Sequence, residues 1–342
     1  MKAMLLHRTL SLKTNCEPLT LADVPIPEPK AGEILIEVSA CGVCHTDLDI
    51  IEGRTPPSFL PIIPGHQVVG RVVASNAKPQ KFKIGDRVGV GWIFSSTGDS
   101  SENIADTFKA TGRDANGGYA EFMCVSEDYA YKIPDVFSDI EAAPLLCAGA
   151  VGYRALKLVA NFKDGNALGL MGFGGSNHLV LQLARHLYPH SSIFVFARDA
   201  TERAFALELG AAWAGDVAEA PPQKLDAVID TTPAWKPVVE ALTHLKPGGR
   251  LVINAIRKQD SDKEYLLNLC YEKHLWMEKE IKSVANVTHF DLEDFLPVAA
   301  QIPLKPHVQT YALGEANKAL VDLKCGSIRG AKVLRACCPT RP

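Results

Sequence analysis

The feature that most constrains the fold of this chain is an alternation of short apolar runs with amphipathic helical patterns between residues 149 and 286. The helical patterns place leucines on one stripe, as at Leu179, Leu183 and Leu187. Buried strands that alternate with helices indicate a parallel sheet covered on both faces, so we predict a doubly wound α/β domain. The runs that read as its strands are Ala167–Met171, Ile193–Phe196, Ala227–Asp230 and Arg250–Ile253.

The segments on either side of this region have a different pattern. Before residue 149 the chain consists of short β-like runs separated by Gly and Pro, such as Ile34–Val38, Val68–Val73 and Arg87–Val90, which predicts a compact β-rich unit. Helical patterns over 292–300 and 315–323 precede a last apolar run, Gly330–Leu334. We expect residues 287–342 to return to the first domain, so that 1–148 with 287–342 form one domain and 149–286 the other.

Composition restricts the possible partners and compartment. The 342 residues suffice for two domains, and 47% hydrophobic with 22% charged residues is typical of a globular protein. A formal net charge of -3 gives no basic field for nucleic acid or for a membrane surface. The start of the chain lacks the apolar length of a secretion signal, so we predict a cytoplasmic protein that binds neither nucleic acid nor membrane.

Nine cysteines, an odd number, favour free thiols or metal ligands over a disulfide framework. We interpret the pair Cys337–Cys338 as an exposed chain end. The histidines at 178 and 186 are predicted to be surface or capping residues.

A glycine-rich loop follows the first strand of the α/β region. It reads Gly172, Phe173, Gly174, Gly175, Ser176, Asn177 and leads into a helix. Glycines let the backbone approach a pyrophosphate, whose charge the helix N-terminus stabilises. Asn177 stands where a third small residue is usual, and glycines also close ordinary turns, but the strand–loop–helix context favours dinucleotide binding.

The end of the second strand indicates which dinucleotide binds. NAD sites usually place an acidic residue there for the ribose 2′-hydroxyl, whereas this chain has Ala197 followed by Arg198. Arg198 could pair with a 2′-phosphate, which favours NADP over NAD. The alternative is that Arg198 is a solvated loop residue and Asp199 caps the next helix.

Potential metal ligands are concentrated in the β-rich segment. Cys41, Cys44, His45 and Asp47 lie within seven residues, and His66 and Cys147 follow downstream. Two thiolates and one imidazole make a zinc site with an open fourth position, as catalytic zinc requires. Spacing alone does not identify the ligands, because Cys147 taken singly is more often a buried apolar cysteine and His66 a turn histidine.

Several motifs together resemble the zinc-dependent medium-chain alcohol dehydrogenases over nearly the whole chain. They occur in the order of that family: Cys44-His45-Thr46-Asp47, Pro64-Gly65-His66, Gly117-Gly118-Tyr119-Ala120-Glu121 and Gly172 to Gly175. The resemblance implies a GroES-like catalytic domain, a Rossmann cofactor domain and assembly into a homodimer or homotetramer. Alcohol dehydrogenases are themselves the standard example of a catalytic zinc held by two cysteines and one histidine.

The resemblance also implies roles for individual residues. Cys44, His66 and Cys147 match the zinc ligands, and Asp47 matches the carboxylate that supports them. Thr46 matches the hydroxyl that takes the alcohol proton, His45 a pyrophosphate contact, and Trp92 an aromatic wall of the substrate pocket.

Four positions depart from the family pattern. Gln67 replaces a common glutamate, and Asp49 replaces a histidine at the end of the proton relay. The lobe over 95–103, which commonly holds a structural zinc, contains no cysteine, so we predict one zinc per chain. Ala331 replaces an arginine that often meets the pyrophosphate, with Arg329 or Lys332 as substitutes.

The sequence therefore predicts a zinc-dependent alcohol dehydrogenase or aldehyde reductase that transfers a hydride between a nicotinamide cofactor and a primary alcohol or aldehyde. A zinc-free quinone or enoyl reductase would lack the cysteine and histidine ligands. A non-catalytic protein that binds zinc and dinucleotide is the other alternative, which Gln67 and Asp49 keep open.

Overall fold

The computed structural model describes residues 1–159, 161–302, 304–325 and 330–336. The chain divides into two compact units, one of Met1–Cys147, Val287–Ala300 and Lys305–Pro342, the other of Ala148–Asn286 and Gln301–Leu304. The predictions on Cys337–Cys338 and Arg329 lie outside the described residues.

The elements follow in chain order. The strands are β1 (Lys2–Leu6), β2 (Leu19–Asp23), β3 (Glu33–Val43), β4 (Gln67–Ser75), β5 (Arg87–Val90), β6 (Ile93–Ser95), β7 (Lys109–Ala110), β8 (Phe122–Ser126), β9 (Ala130–Lys132), β10 (Ala167–Met171), β11 (Ser192–Phe196), β12 (Trp213–Gly215), β13 (Leu225–Asp230), β14 (Leu245–Ile253), β15 (Glu280–Ser283), β16 (Val308–Ala312) and β17 (Ala331–Arg335). The α-helices are α1 (His45–Ile51), α2 (Asp139–Pro144), α3 (Ala150–Leu158), α4 (Asn177–Leu187), α5 (Ala200–Glu208), α6 (Lys236–His244), α7 (Tyr271–His274), α8 (His289–Gln301) and α9 (Ala316–Cys325). A π-helical turn over Leu145–Gly149 lies between α2 and α3.

The first unit is built around one large sheet with the order β16-β17-β3-β4-β5-β9, in which β8 also pairs with β3. Neighbouring strands are antiparallel except for β16 and β17. The last strand, β17, thus lies beside β3 in the sheet of the first unit. The β-rich prediction for this unit is confirmed.

The second unit contains a parallel sheet with the order β12-β11-β10-β13-β14-β15, which confirms the doubly wound prediction. Every residue of β10 is buried, because helices cover both faces of such a sheet. The strand order reverses beside β10, whose neighbours are β11 and β13, and ligands of such sheets bind at the carboxyl ends of the strands there.

The surface assignment of His178 is wrong. His178 is fully buried, and its Nδ1 lies 3.0 Å from the carbonyl oxygen of Gly174. The helix α4 therefore turns this side chain inward at its first turn. His186, near the other end of α4, is exposed as expected.

The longest α-helix within the described residues is α8, with 13 residues. None of the helices in this part of the chain has the length and apolar character needed to cross a membrane.

Candidate functional site

Three side chains from distant segments of the first unit meet at one point. The Sγ atoms of Cys44 and Cys147 and a ring nitrogen of His66 all lie within 4.8 Å of one another. Cys44 caps α1 directly after β3, His66 directly precedes β4, and Cys147 lies in the π-helical turn. This is the group that the sequence predicted as zinc ligands, and nothing similar occurs elsewhere in the described chain.

Local backbone geometry positions two of these ligands. Gly65, with φ +96°, leads into His66, and a Cβ there would lie 2.3 Å from the Tyr119 ring. A Cβ on Gly117 would lie 2.0 Å from the Gly65 carbonyl oxygen, so that only glycines allow these segments to pack together. Pro144 ends α2 without an N–H to donate, and the wider π-helical turn that carries Cys147 follows it.

Asp47 organises the centre by hydrogen bonds to three groups. Its Oδ2 accepts from the Cys44 backbone N–H at 2.8 Å and from the Tyr119 hydroxyl at 3.1 Å. Its Oδ1 lies 3.1 Å from Nδ1 of His66, and Asp47, His66 and Tyr119 are all fully buried. With Nδ1 directed to Asp47, Nε2 is the nitrogen that faces the two thiols.

The electrostatics of the centre separate its two thiols. The neighbouring Cys147 lowers the pKa of the Cys44 thiol, and the same contact raises the pKa of Cys147. Burial alone would lower the pKa of His66, but the Asp47 carboxylate outweighs it and raises the pKa to about 10. Burial, followed by the charge of Asp47, raises the pKa of Tyr119, so its hydroxyl keeps the proton that it donates.

The other predicted residues of this unit lie as follows. Thr46 is half-buried with Oγ1 3.7 Å from Cys44 Sγ, and His45 is exposed. Asp49 is buried and forms an ion pair with Arg54. Trp92 meets His66 edge-on, with ring centroids 4.8 Å apart, so an aromatic ring lies beside His66.

Two of the departures from the family pattern also have a structural setting. Gln67 is buried and is the first residue of β4, opposite Gly42. A Cβ added to Gly42 would lie 2.4 Å from Oε1 of Gln67.

In the lobe over 95–103, a fully buried carboxylate, Glu102, accepts a hydrogen bond from the Tyr129 hydroxyl at 2.9 Å. The other oxygen of Glu102 lies 2.8 Å from Nδ1 of His289, at the start of α8. A hydrogen-bonded carboxylate therefore ties this lobe to two other segments.

The glycine-rich loop lies at the carboxyl end of β10, in the second unit. Gly172 has φ +80°, and a Cβ there would lie 2.9 Å from the Thr232 side chain. The Asn177 amide, fully buried, donates to the carbonyl oxygens of Met171 and Gly172 at 3.0 and 2.8 Å. Asn177 thus ties the start of α4 to the end of the strand, and Ser176 Oγ donates to the Ala148 carbonyl at 2.9 Å.

At the end of β11, Ala197 is buried whereas Arg198 is exposed. Asp199 caps α5: its Oδ1 accepts from both the backbone N–H and the hydroxyl of Thr201 at 2.7 Å. Arg203 donates to the carbonyl oxygens of Ala197 and Arg198 and fixes the backbone of this turn.

Sequence reasoning assigned no definite site role to two buried groups, although the position of Asp230 at a strand end was compatible with the cofactor crevice or with an ordinary turn. In the sequence, Tyr119 is distinguished only as part of a motif. Its contact with Asp47 spans 72 residues, so no local pattern predicts this contact. Asp230, at the carboxyl end of β13, forms a buried ion pair with Lys258, whose ammonium also donates to the Thr232 carbonyl at 2.7 Å. A carboxylate directly after a buried strand was the only available signal for this pair.

Comparison with known proteins identifies relatives over almost the full length. The alcohol dehydrogenase GroES-like domain family matches residues 30–135. The chain is 42% identical over 328 residues to a probable alcohol dehydrogenase AdhA of Mycobacterium tuberculosis, covering 93% of this chain and 92% of that protein. It is 32% identical over 334 residues to an alcohol dehydrogenase of Geobacillus stearothermophilus, covering 93% and 95%. A solved NAD-dependent alcohol dehydrogenase superposes with a TM-score of 0.86 at 21% identity, covering 98% and 99%, which shows the shared fold.

Proposed function

The chain belongs to the zinc-type medium-chain alcohol dehydrogenase family, and from this premise we propose that it interconverts a primary alcohol and its aldehyde by hydride transfer with NADP(H), using one zinc ion held by Cys44, His66 and Cys147. The observation that carries the proposal is the convergence of these three ligand atoms within 4.8 Å.

The residues of this centre fit a zinc ion. Nε2 of His66 is buried and has no hydrogen-bond partner in the described part of the chain, which is costly unless a ligand occupies it. Two thiols and one imidazole form a three-ligand set that leaves a fourth position for substrate. Bound there, zinc supplies Lewis-acid polarisation of the substrate oxygen.

The surrounding residues would handle the proton and the substrate. Thr46, whose Oγ1 lies 3.7 Å from Cys44 Sγ, would take the alcohol proton through its hydroxyl. Asp49, which forms an ion pair with Arg54, would receive the proton next. Trp92 would narrow the pocket beside His66, which suits primary alcohols.

The second unit would hold the cofactor, which supplies the hydride donor or acceptor. Gly172, Gly174, Gly175, Ser176 and Asn177 form the proposed pyrophosphate loop, with His45 as a further contact. Ala197 and Arg198 support NADP over NAD. Asp199, which directly follows Arg198, is engaged through its Oδ1 in capping α5.

The central experiment measures zinc per chain together with NADPH-driven reduction of small aldehydes. We expect one zinc and turnover in the wild type, and loss of both in Cys44→Ser. Cys124→Ser is the matched control, because Cys124 lies on β8 of the same unit outside the ligand cluster. Undiminished zinc and turnover in Cys44→Ser would sink the ligand assignment, and zinc without turnover on any alcohol or aldehyde would support a non-catalytic protein.

The cofactor preference has a separate test. Arg198→Ala should weaken NADP binding far more than NAD binding, because only NADP carries the 2′-phosphate. Equal losses for both cofactors, measured by quenching of protein fluorescence, would show that Arg198 does not select between them.

We further propose a single zinc per chain. The lobe over 95–103 has no cysteine, and the buried Glu102 links it by hydrogen bonds to Tyr129 and His289. Metal analysis of the wild type distinguishes one ion from two.

We propose a homo-oligomer in which the second unit provides a contact surface. All residues of the edge strand β15 are exposed, and the segment before it exposes Leu267, Trp276 and Met277. Unpaired strand edges next to exposed apolar side chains favour association with another chain. Analytical ultracentrifugation that found only monomers would contradict this.

A reducing, cytoplasmic setting is also part of the proposal. The proposed zinc ligands include two thiols that must stay reduced to bind the ion. Cell fractionation with an antibody against the chain would test the location.

A further inference from the structure

A buried chain of hydrogen bonds extends from Tyr119 to the proposed zinc ligand His66. The Tyr119 hydroxyl donates to Oδ2 of Asp47 at 3.1 Å, and Oδ1 of Asp47 lies 3.1 Å from Nδ1 of His66. Each of the three side chains is 0% exposed. Water therefore does not reach these groups, and each depends on the others for its hydrogen bonds.

Tyr119 also contacts the segment that carries His66. Its backbone N–H donates to the Pro64 carbonyl at 3.0 Å, and its ring lies where a Cβ on Gly65 would be 2.3 Å away. The ring and the backbone thus hold the loop before His66, whereas the hydroxyl holds the carboxylate. These two roles can be separated, because phenylalanine keeps the ring and removes only the hydroxyl.

We infer that Tyr119 is a positioning residue of the metal centre, whose hydroxyl orients the Asp47 carboxylate and thereby directs Nε2 of His66 towards the ion. The inference rests on the proposed zinc function. The Tyr119 hydroxyl donates to Asp47, and its effect on His66 therefore passes through that carboxylate.

The arrangement of donors around Asp47 explains why the hydroxyl matters. Oδ2 receives the Cys44 N–H and the Tyr119 hydroxyl, which leaves Oδ1 for the imidazole. The torsion of an aspartate carboxylate is intrinsically broad, so its orientation is set by its partners. Without the hydroxyl, the carboxylate keeps one donor on Oδ2 and is less restrained. Loss of such outer contacts typically weakens metal binding by about 10- to 100-fold.

The test is Tyr119→Phe, with Tyr129→Phe as the matched control. Tyr129 is a second buried tyrosine of the same unit whose hydroxyl donates to a carboxylate, Glu102, away from the metal centre. Zinc affinity is measured by competition with a chromophoric chelator, and the ligand geometry by the visible absorption spectrum of the Co²⁺-substituted protein. We expect Tyr119→Phe to weaken zinc binding about tenfold and to alter the Co²⁺ spectrum, and Tyr129→Phe to leave both unchanged.

A double variant tests whether the effect passes through Asp47. If it does, adding Tyr119→Phe to Asp47→Asn causes no further loss of zinc affinity. Additive losses would overturn the inference, as would equal losses in Tyr119→Phe and Tyr129→Phe, or wild-type zinc affinity and spectrum in Tyr119→Phe. A wild-type chain that bound no zinc would instead refute the proposed function itself.

Discussion

Gly65 should tolerate a side chain poorly, because both its backbone conformation and its surroundings oppose one. Its φ of +96° disfavours an L-residue, at a cost of about 1–2 kcal/mol. A Cβ there would also lie 2.3 Å from Cδ1 of Tyr119 and 2.9 Å from Sγ of Cys41, both buried. Forcing extra volume into such packing costs about a further 1–3 kcal/mol. We therefore expect Gly65→Ala to lower the free energy of unfolding by about 2–5 kcal/mol.

Gly85 provides the matched control, because it has a similar φ of +90° and a Cβ added there would have no atom within 4 Å. Gly85→Ala should therefore cost only the backbone share, about 1–2 kcal/mol. Urea unfolding of the metal-free proteins measures both, and metal analysis should show reduced zinc only in Gly65→Ala, because Gly65 adjoins His66. If Gly65→Ala were no less stable than Gly85→Ala and retained its zinc, the reasoning from close packing would be refuted.

Two further predictions concern the second unit. Burial lowers the pKa of His244 to about 4, the charge of Lys224 contributes next, and the imidazole ring stacks on Phe196. In the unfolded chain the imidazole binds a proton near pH 6.5, the ordinary value for histidine. The free energy of unfolding should therefore fall between pH 6.5 and 4, by about 1–2 kcal/mol after allowance for solvent screening. Thermal unfolding across that range should be flatter in His244→Gln, and an unchanged slope would contradict the assignment. Lys258→Met leaves the buried Asp230 without its cation and should lower the free energy of unfolding by about 3–5 kcal/mol. The double variant Asp230→Asn with Lys258→Met should recover part of this loss in urea unfolding. If the double variant recovered nothing, the two residues would not be coupled.

The architecture of the second unit was predictable because its signals are local. The strands β10, β11 and β13 are short apolar runs that are buried almost throughout, and the leucines at 179, 183 and 187 mark α4 without reference to any distant segment. The same reasoning failed at His178, because a polar residue on the buried side of α4 does not belong to the apolar pattern that marks the helix. Its contact with the Gly174 carbonyl forms only when the turn has folded.

The candidate site was predictable only in part. The ligand types could be read from the chain, but the choice of Cys147 needed the family resemblance, because no local pattern links it to Cys44. The supporting contacts are less visible still: Tyr119 reaches Asp47 over 72 residues, and His289 reaches Glu102 over 187. Such pairs depend on the folded sheet and leave no periodicity in the sequence.

The place of β17 in the first sheet affects the order in which this protein can be made. The second unit is nearly continuous in sequence, so it can fold while synthesis continues. The strand β3, which leads to Cys44, pairs with β17 only after residue 335 has been synthesised. We therefore expect the second unit to be folded while the first unit is still incomplete. Capture of the proposed zinc ion would then be a late event of maturation, and a premature stop before β17 would abolish it although Cys44, His66 and Cys147 are all present.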